Sequence, residues 1–226
     1  MNTFTLKMIA IITMLIDHVG AILFPEILLF RFIGRIAFPI FAWLIANGYF
    51  HTKDVKKYML RLGVFAFIAE PFFDYGIFGT WVDFSHQNVL FTLLIGLLAI
   101  YLFDQLRVDK PVWAYISLIL MMVAGETILS DYGAYGIITM FLFYYFFEDK
   151  KKMALALLLL NVGRNLLIYT EYPISFINSL QFFCVLALPL ILLYNKKAGP
   201  KAKYFFYIFY PLHLLIIRII AEYNIF

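Results

Sequence analysis

Long apolar runs separated by short polar stretches follow one another along the whole chain. Each run approaches the ~20 residues that an α-helix needs to cross the hydrocarbon core of a bilayer. Open strands cannot satisfy their backbone groups in lipid, so the runs predict helices, and a proline such as Pro39 is tolerated inside them. The predicted all-α, polytopic integral membrane bundle has about nine transmembrane helices (range 8–10), at 6–24, 29–50, 57–77, 88–106, 111–128, 133–147, 153–169, 177–194 and 204–222.

The composition excludes a water-soluble fold. Hydrophobic residues make up 64% of the 226 residues and charged residues only 14%, whereas soluble domains average ~45–50% and ~25%. Too few polar side chains exist to cover a soluble domain of this size. No linker or repeat divides the chain, so we expect one domain over 1–226. The first apolar run is interrupted by Asp17 and His18 and lacks a small-residue cleavage site, so we expect a retained helix and no signal peptide.

Lysines mark one side of the predicted bundle. All 12 lysines lie near the N-terminus or in alternate loops of the nine-span pattern, and short loops rich in Lys and Arg face the cytoplasm. This distribution predicts nine spans, with the N-terminus inside and the C-terminus outside. The net charge of +4 therefore reflects loop orientation, so the expected partner is the lipid bilayer and no nucleic acid is expected.

Ionisable and amide side chains concentrate in the outer half of the predicted spans. A charge near the bilayer centre costs at least ~2.5–3.5 kcal/mol, so these groups must be paired or must line a water-filled site. We therefore predict a functional site that opens outward. The cluster includes Asp17, His18, Arg31, Arg35, Glu70, Asp74, His86, Asn88, Glu126, Arg164, Asn165, Tyr210 and His213.

Helical spacing suggests how the charged members pair. Arg31 and Arg35 are four residues apart and share one face of the second span. Glu70 and Asp74 share one face of the third span in the same way. We expect these two ladders of opposite charge to face each other, with a purely structural staple between helices as the alternative.

His18 is the strongest candidate for chemistry, because packing alone rarely selects an adjacent Asp and His in a lipid-embedded span. Asp17 and His18 point about 100° apart around their helix, so we expect Glu70 to be the partner of His18. His213 shares a polar face with Tyr210, and a satisfied core histidine is its alternative interpretation.

Other chemical signatures are absent from the sequence. The four His and the single Cys184 show no HxxxH spacing, so no metal is expected, and a scattered set of His18, Glu70, His86 and His213 is the alternative. No GxxxxGK[ST], GxGxxG or GxSxG motif occurs, which argues against ATP-driven transport, dinucleotide chemistry and serine hydrolysis.

Three motifs resemble the TraX protein family. IDHVGA within 6–25, GRIAFPIF within 32–74 and YPLHL within 209–217 carry the resemblance, which spans most of the chain. More remotely, the early histidine followed by FPIF resembles the transmembrane acyltransferases that include heparan glucosaminide N-acetyltransferase. Because the TraX family is known for pilin N-acetylation, the resemblance implies a multi-pass acetyltransferase of the bacterial cytoplasmic membrane.

The resemblance also implies roles for residues of this chain. His18 matches the essential histidine, and Asp17, Arg35 and Glu70 fall in the same matched stretches; we expect His213 to join this catalytic group. We expect the remaining polar residues of the cluster to bind substrate: Arg31, Asp74, His86, Asn88, Glu126, Arg164, Asn165 and Tyr210. The basic loop with Lys53, Lys56 and Lys57 is a candidate site for the phosphates of acetyl-CoA.

The expected function is acetyl transfer from cytoplasmic acetyl-CoA to an outer amine or hydroxyl. His18 would act as general base or acyl carrier. A peptide N-terminus, an amino sugar or an envelope glycan would fit as acceptor. The main alternative is a small-solute or proton-coupled transporter, because intramembrane His and carboxylates also form proton relays. A passive scaffold would leave the buried charges unexplained.

Overall fold

The protein is a bundle of helices. A computed structural model describes residues 1–171 and 180–223, and every regular element in these two ranges is helical. In chain order the elements are α1 Thr3–Ile22, α2 Leu28–Gly34, α3 Ala37–His51, α4 Val55–Phe78, α5 Val89–Leu106, α6 Pro111–Thr127, α7 Gly133–Tyr145, α8 Lys150–Glu171, a 3-10 helix Leu180–Leu186, α9 Ala187–Leu192 and α10 Lys203–Glu222.

Polar residues at the ends of the apolar runs determine where several helices begin. The side chain of Asn2 accepts a hydrogen bond from the Thr5 amide at the start of α1. Asp54 and Asn88 cap α4 and α5 in the same way, because the first turn of a helix leaves amide groups without intrahelical partners.

The apolar helices confirm a multi-helix membrane protein. Within the described residues, four helical stretches are long and apolar enough to cross a membrane, namely Thr3–Ile22, Leu28–His51, Val89–Leu106 and Tyr204–Glu222. Shorter apolar helices cover Pro111–Thr127, Gly133–Tyr145 and Leu180–Leu192. The count of nine spans and the orientation of the termini stay predictions.

Two of the predicted spans are not continuous α-helices. The span at 29–50 breaks at Arg35 and Ile36, between α2 and α3. Pro39 lies in the first turn of α3, where its missing amide hydrogen matters least, and a continuous helix would have required that hydrogen for the Arg35 carbonyl. The span at 177–194 begins outside the described residues and continues as the 3-10 helix followed by α9.

Helices α3 and α5 form the interior of the bundle. Phe38 and Trp43 of α3 and Leu97 and Ile100 of α5 are buried. By contrast, α6 exposes large apolar side chains such as Trp113, as a surface in contact with lipid would. Helix α1 packs against α2, α3 and α10, and α4 packs against α5 and α10, so the polar residues of these helices meet inside the bundle.

Candidate functional site

A cavity of about 480 Å³ lies where the polar ends of α1, α2 and α4 meet. We call it the His18 cavity. Six residues predicted from the sequence line it, together with Asp131 and Tyr132. The six are Asp17, His18, Arg31, Arg35, His86 and Tyr210.

Asp17 binds both arginines of the second predicted span. Its carboxylate accepts hydrogen bonds from Arg31 Nη1 at 2.8 Å and from Arg35 Nη2 at 2.8 and 2.9 Å. Gly34 makes this approach possible, because a Cβ at that position would lie 2.0 Å from Asp17 Oδ1. The expected ladder between these arginines and the acidic residues of α4 was therefore wrong.

The acidic residues of α4 hold the following loop instead. Glu70 accepts a hydrogen bond from the Asn88 amide at 3.1 Å and another from its side chain. Asp74 accepts one from the Asp83 amide at 2.9 Å. The expected pairing of Glu70 with His18 was wrong, because the Glu70 carboxylate is turned toward the start of α5.

His18 contacts a second histidine. Nδ1 of His18 lies 2.7 Å from Nε2 of His213 on α10, and the two rings stack at 29° with centroids 4.9 Å apart. His213 is buried behind His18, and its Nδ1 lies 2.8 Å from the Phe209 carbonyl oxygen. The structure therefore brings together two residues that the sequence separates by 195 positions.

His86 and Asp131 line the His18 cavity from two neighbouring loops. Backbone hydrogen bonds from Gln87 to Leu129 and from Asp131 to Gln87 join their two loops. His86 Nε2 then lies 3.2 Å from Asp131 Oδ1, and this carboxylate raises the pKa of His86 above its ordinary value. Sequence reasoning missed Asp131, and its only signal was an acidic residue in a short loop on the predicted outer side.

Tyr132 was also missed by the sequence analysis. It lies next to Asp131 and stacks on Phe38 with ring centroids 3.6 Å apart. Glu126, expected to bind substrate, accepts a hydrogen bond from the Ala134 amide at 2.8 Å and holds the start of α7 in place. It positions the Asp131 loop and does not line the His18 cavity.

The predicted residues of α8 lie in a neighbouring polar network. The Arg164 guanidinium lies 5.2 Å from the centre of the Tyr135 ring, and Asn165 donates to the Asn161 carbonyl at 2.9 Å. Neither residue lines the His18 cavity. Gln181, which sequence reasoning missed, links the two regions, because its Oε1 accepts a hydrogen bond from Arg35 at 3.3 Å.

A second cavity, of about 450 Å³, opens at the lysine-rich end of the bundle. We call it the Lys7 cavity. Its cationic lining residues are Lys7, Arg61 and Lys196, and none of its lining residues in the described part of the chain is Asp or Glu. Two buried polar atoms in its wall, Asn47 Oδ1 and Arg61 Nε, have no hydrogen-bond partner in the described residues. The expected phosphate-binding lysines of the 53–57 loop do not line it.

The two cavities share one wall. Met14, Phe41, Val89 and Tyr210 line both of them. Tyr210 was predicted as a substrate-binding residue of the polar cluster, and it belongs to both cavities. This layer of side chains separates a cationic cavity from the cavity that contains the two arginines and His18.

The helices and the paired cavities define a polytopic membrane protein with a buried histidine site. A family model described as "TraX protein" matches residues 3–221. The chain belongs to the TraX protein family.

Two relatives extend this comparison. A probable fimbrial assembly protein, FimC of serogroup H1, from Dichelobacter nodosus is 31% identical over 96% of this chain and 94% of its own. An uncharacterized protein from Rickettsia prowazekii (strain Madrid E) is 34% identical over 43% of this chain and 36% of its own. No solved structure matches the chain.

Proposed function

We propose that the protein is a membrane acetyltransferase that takes acetyl groups from cytoplasmic acetyl-CoA and delivers them to an amine or hydroxyl at the outer face. The observation that carries the proposal is the shared wall between the Lys7 cavity and the His18 cavity. Acetyl-CoA is an anion, and the acceptor is an amine or hydroxyl nucleophile. The two substrates therefore need different binding cavities, and these cavities must adjoin where the acetyl group is transferred. The family match and the fimbrial relative support a role in pilus or fimbria assembly.

The Lys7 cavity suits the donor. Lys7, Arg61 and Lys196 would attract the phosphates of CoA, and no carboxylate among the described lining residues opposes them. The unpartnered Asn47 Oδ1 is an acceptor for an amide hydrogen, which the pantetheine arm of CoA carries. A buried polar atom without a partner costs about 1–3 kcal/mol, so a ligand that satisfies it binds more tightly.

The His18 cavity suits the transfer step. An imidazole nitrogen of His18 takes the proton from the acceptor as its nitrogen or oxygen attacks the thioester carbonyl carbon. The new oxyanion needs fixed donors, and Arg31 and Arg35 are anchored beside His18 by Asp17. When the carbon–sulfur bond breaks, the proton passes from His18 to the CoA sulfur, so CoA leaves as the thiol. An acetyl-histidine intermediate would use the same residues.

The choice of acetyl acceptor rests on the named relative more than on the residues that line the His18 cavity. An amine and a hydroxyl both have the proton and lone pair that the step requires. Because one relative is named as a fimbrial assembly protein, the N-terminus of a fimbrial or pilin subunit is the first acceptor to test. Amino sugars and envelope glycans are the next.

The proposal includes a topology of nine spans in the cytoplasmic membrane, with the N-terminus inside. It is tested by single cysteines on a Cys184→Ala background, probed in intact cells with an impermeant thiol reagent. Lys53→Cys and Lys150→Cys should be shielded, and Glu26→Cys and Thr80→Cys should react. Equal labelling of both pairs would contradict the topology.

The activity is tested with purified protein, radioactive acetyl-CoA and a candidate peptide. Wild type should release CoA thiol and label the peptide, and His18→Ala should lower the rate by ~10²–10⁴-fold, the usual contribution of a positioned base. Ser117→Ala is the matched control, because among the described residues its hydroxyl donates a hydrogen bond only to the Ala114 carbonyl of α6.

The alternative of a proton-coupled transporter predicts a different outcome. Paired cavities on either side of a wall also suit alternating access. A transporter would move solute across proteoliposomes without consuming acetyl-CoA. If wild type transfers no acetyl group to any acceptor of the three classes, the proposed function fails. If His18→Ala retains full acetyl transfer, the catalytic role of His18 fails and moves to His213 or His86.

A further inference from the structure

The hydrogen bonds of His213 determine which of its nitrogens carries the hydrogen. Its Nδ1 lies 2.8 Å from the Phe209 carbonyl oxygen. A carbonyl oxygen only accepts, so Nδ1 of His213 must be the donor. In a neutral imidazole the other nitrogen is then an acceptor, and Nε2 of His213 therefore presents a lone pair to its neighbour.

That neighbour is Nδ1 of His18, at 2.7 Å. One hydrogen must lie between the two nitrogens, and His213 Nε2 has none to give in the neutral ring, so His18 Nδ1 donates. The hydrogen of neutral His18 is thus fixed at Nδ1, and its Nε2 carries the free lone pair. Among the described residues Nε2 has no hydrogen-bond partner, and His18 lines the cavity that His213 does not line.

We propose that His213 is a positioning residue: through the chain from the Phe209 carbonyl to His213 to His18, it holds His18 in the tautomer whose Nε2 accepts the proton of the acceptor substrate. The role rests on the proposed acetyl transfer. Many catalytic histidines are oriented by a carboxylate, but Asp17 is held by two guanidinium groups. His213 supplies the missing acceptor with a neutral ring.

The same arrangement gives the incoming proton a second location. When Nε2 of His18 binds a proton, the hydrogen on its Nδ1 can move to Nε2 of His213. His18 is then neutral, with its hydrogen on Nε2, and His213 is the cation, with its Nδ1 still donating to Phe209. The number of protons is unchanged, and the positive charge has moved from the cavity lining to the buried ring.

Two substitutions at position 213 test whether His18 needs only a hydrogen-bond acceptor there or needs the imidazole ring itself. His213→Gln places a side-chain oxygen at about the reach of Nε2, so it can still accept from His18. His213→Asn is the matched control. Its shorter amide reaches the position of the histidine Nδ1, next to the Phe209 carbonyl, and does not reach the position of Nε2, next to His18. We expect His213→Gln to keep kcat within a few-fold of wild type, because the positioning role needs only an acceptor for the His18 Nδ1 hydrogen and does not need the proton to move on to position 213. His213→Asn should lower kcat by about 10- to 100-fold, the usual effect of removing the partner that orients a metal-binding histidine, with KM for acetyl-CoA unchanged. Equal losses in the two variants, or a rise in KM alone, would overturn the positioning role.

A second measurement does not depend on activity. The protein has four histidines, so nitrogen-15 NMR of histidine-labelled protein, with His18 assigned by its loss in His18→Gln, reports the tautomer. Wild type and His213→Gln should show a protonated Nδ1 and a bare Nε2 at His18, and His213→Asn should show a mixture of tautomers. Hydrogen on Nε2 of His18 in wild type, or an unchanged spectrum in His213→Asn, would overturn the proposal. If the protein transfers no acetyl group, the proposed function fails, and the spectra still decide the tautomer.

Discussion

Neutralising Asp17 should destabilise the protein more than any other single charge removal in the His18 cavity. Asp17→Asn preserves the shape of the side chain but leaves Arg31 and Arg35 without their anion. The side chains of Asp17 and Arg35 are only 13% and 15% exposed, and breaking a buried pair from one side costs ~3–5 kcal/mol. Arg31 is 30% exposed, so Arg31→Met should cost only about 1 kcal/mol.

A double-mutant cycle isolates the Asp17–Arg35 pair. Asp17→Asn, Arg35→Met and the double variant should give a coupling energy of about 2–3 kcal/mol. Unfolding by sodium dodecyl sulfate in mixed micelles, followed by tryptophan fluorescence, measures the free energies. The control is a cycle between Glu70→Gln and Arg35→Met, where Glu70 is engaged with Asn88 and the coupling should be within ~0.5 kcal/mol of zero. A large coupling to Glu70, or none to Asp17, would refute the pairing.

Three further outcomes are expected. Gly34→Ala should lower the free energy of unfolding by displacing Asp17. The new Cβ of Gly163→Ala has no atom of another described element within 4 Å, so this variant should be neutral or stabilising by up to ~1 kcal/mol. The raised pKa of His86 means that its pair with Asp131 contributes stability below the ordinary histidine pKa and loses it as pH rises through the raised value. The difference in melting temperature between wild type and Asp131→Asn should therefore narrow as pH rises from below the ordinary histidine pKa to above the raised one. Arg61→Met should raise KM for acetyl-CoA and leave kcat within about twofold, because ground-state and transition-state binding fall together.

The all-helical fold could be predicted because each helix depends on its own apolar run and on the polar residues at the ends of that run. The predicted starts at 88 and 111 are close to the observed starts of α5 and α6, since Asn88 caps one helix and Pro111 begins the other. The break between α2 and α3 was missed because hydropathy does not register a lost backbone hydrogen bond. Pro39 was the signal in the sequence, because proline has no amide hydrogen to donate to the Arg35 carbonyl. The prediction of a continuous span treated it as a proline inside a helix.

The members of the His18 cavity could be predicted more readily than their partners. Asp17, His18 and Arg35 could be identified because each is an ionisable residue inside a predicted membrane span. That signal does not depend on how the helices pack. The partner of each side chain depends on which helices pack against each other, and the spacing of residues along one helix does not contain that information. Glu70 was therefore assigned to the wrong partner, and the contact between His18 and His213 was not anticipated.

The Lys7 cavity was missed for a different reason. Lys7, Arg61 and Lys196 lie at the lysine-rich end of the bundle, where the positive-inside rule already accounts for basic residues. A cation that orients the chain and a cation that binds a ligand look the same in the sequence. What favours ligand binding is that no carboxylate of the described residues lies in the same cavity wall.

The spacing of the polar contacts of α1 along the chain has a consequence for membrane insertion during synthesis. Asp17 meets its two arginines only 14 and 18 residues later, so its charge can be neutralised as soon as the next hydrophobic segment leaves the ribosome. His18 must wait for a partner made 195 residues later. A charged group is far more costly to leave unpaired in lipid than a neutral ring. The charge of Asp17 can thus be paired early in synthesis, whereas the contact between the two imidazoles has to wait until α10 is made.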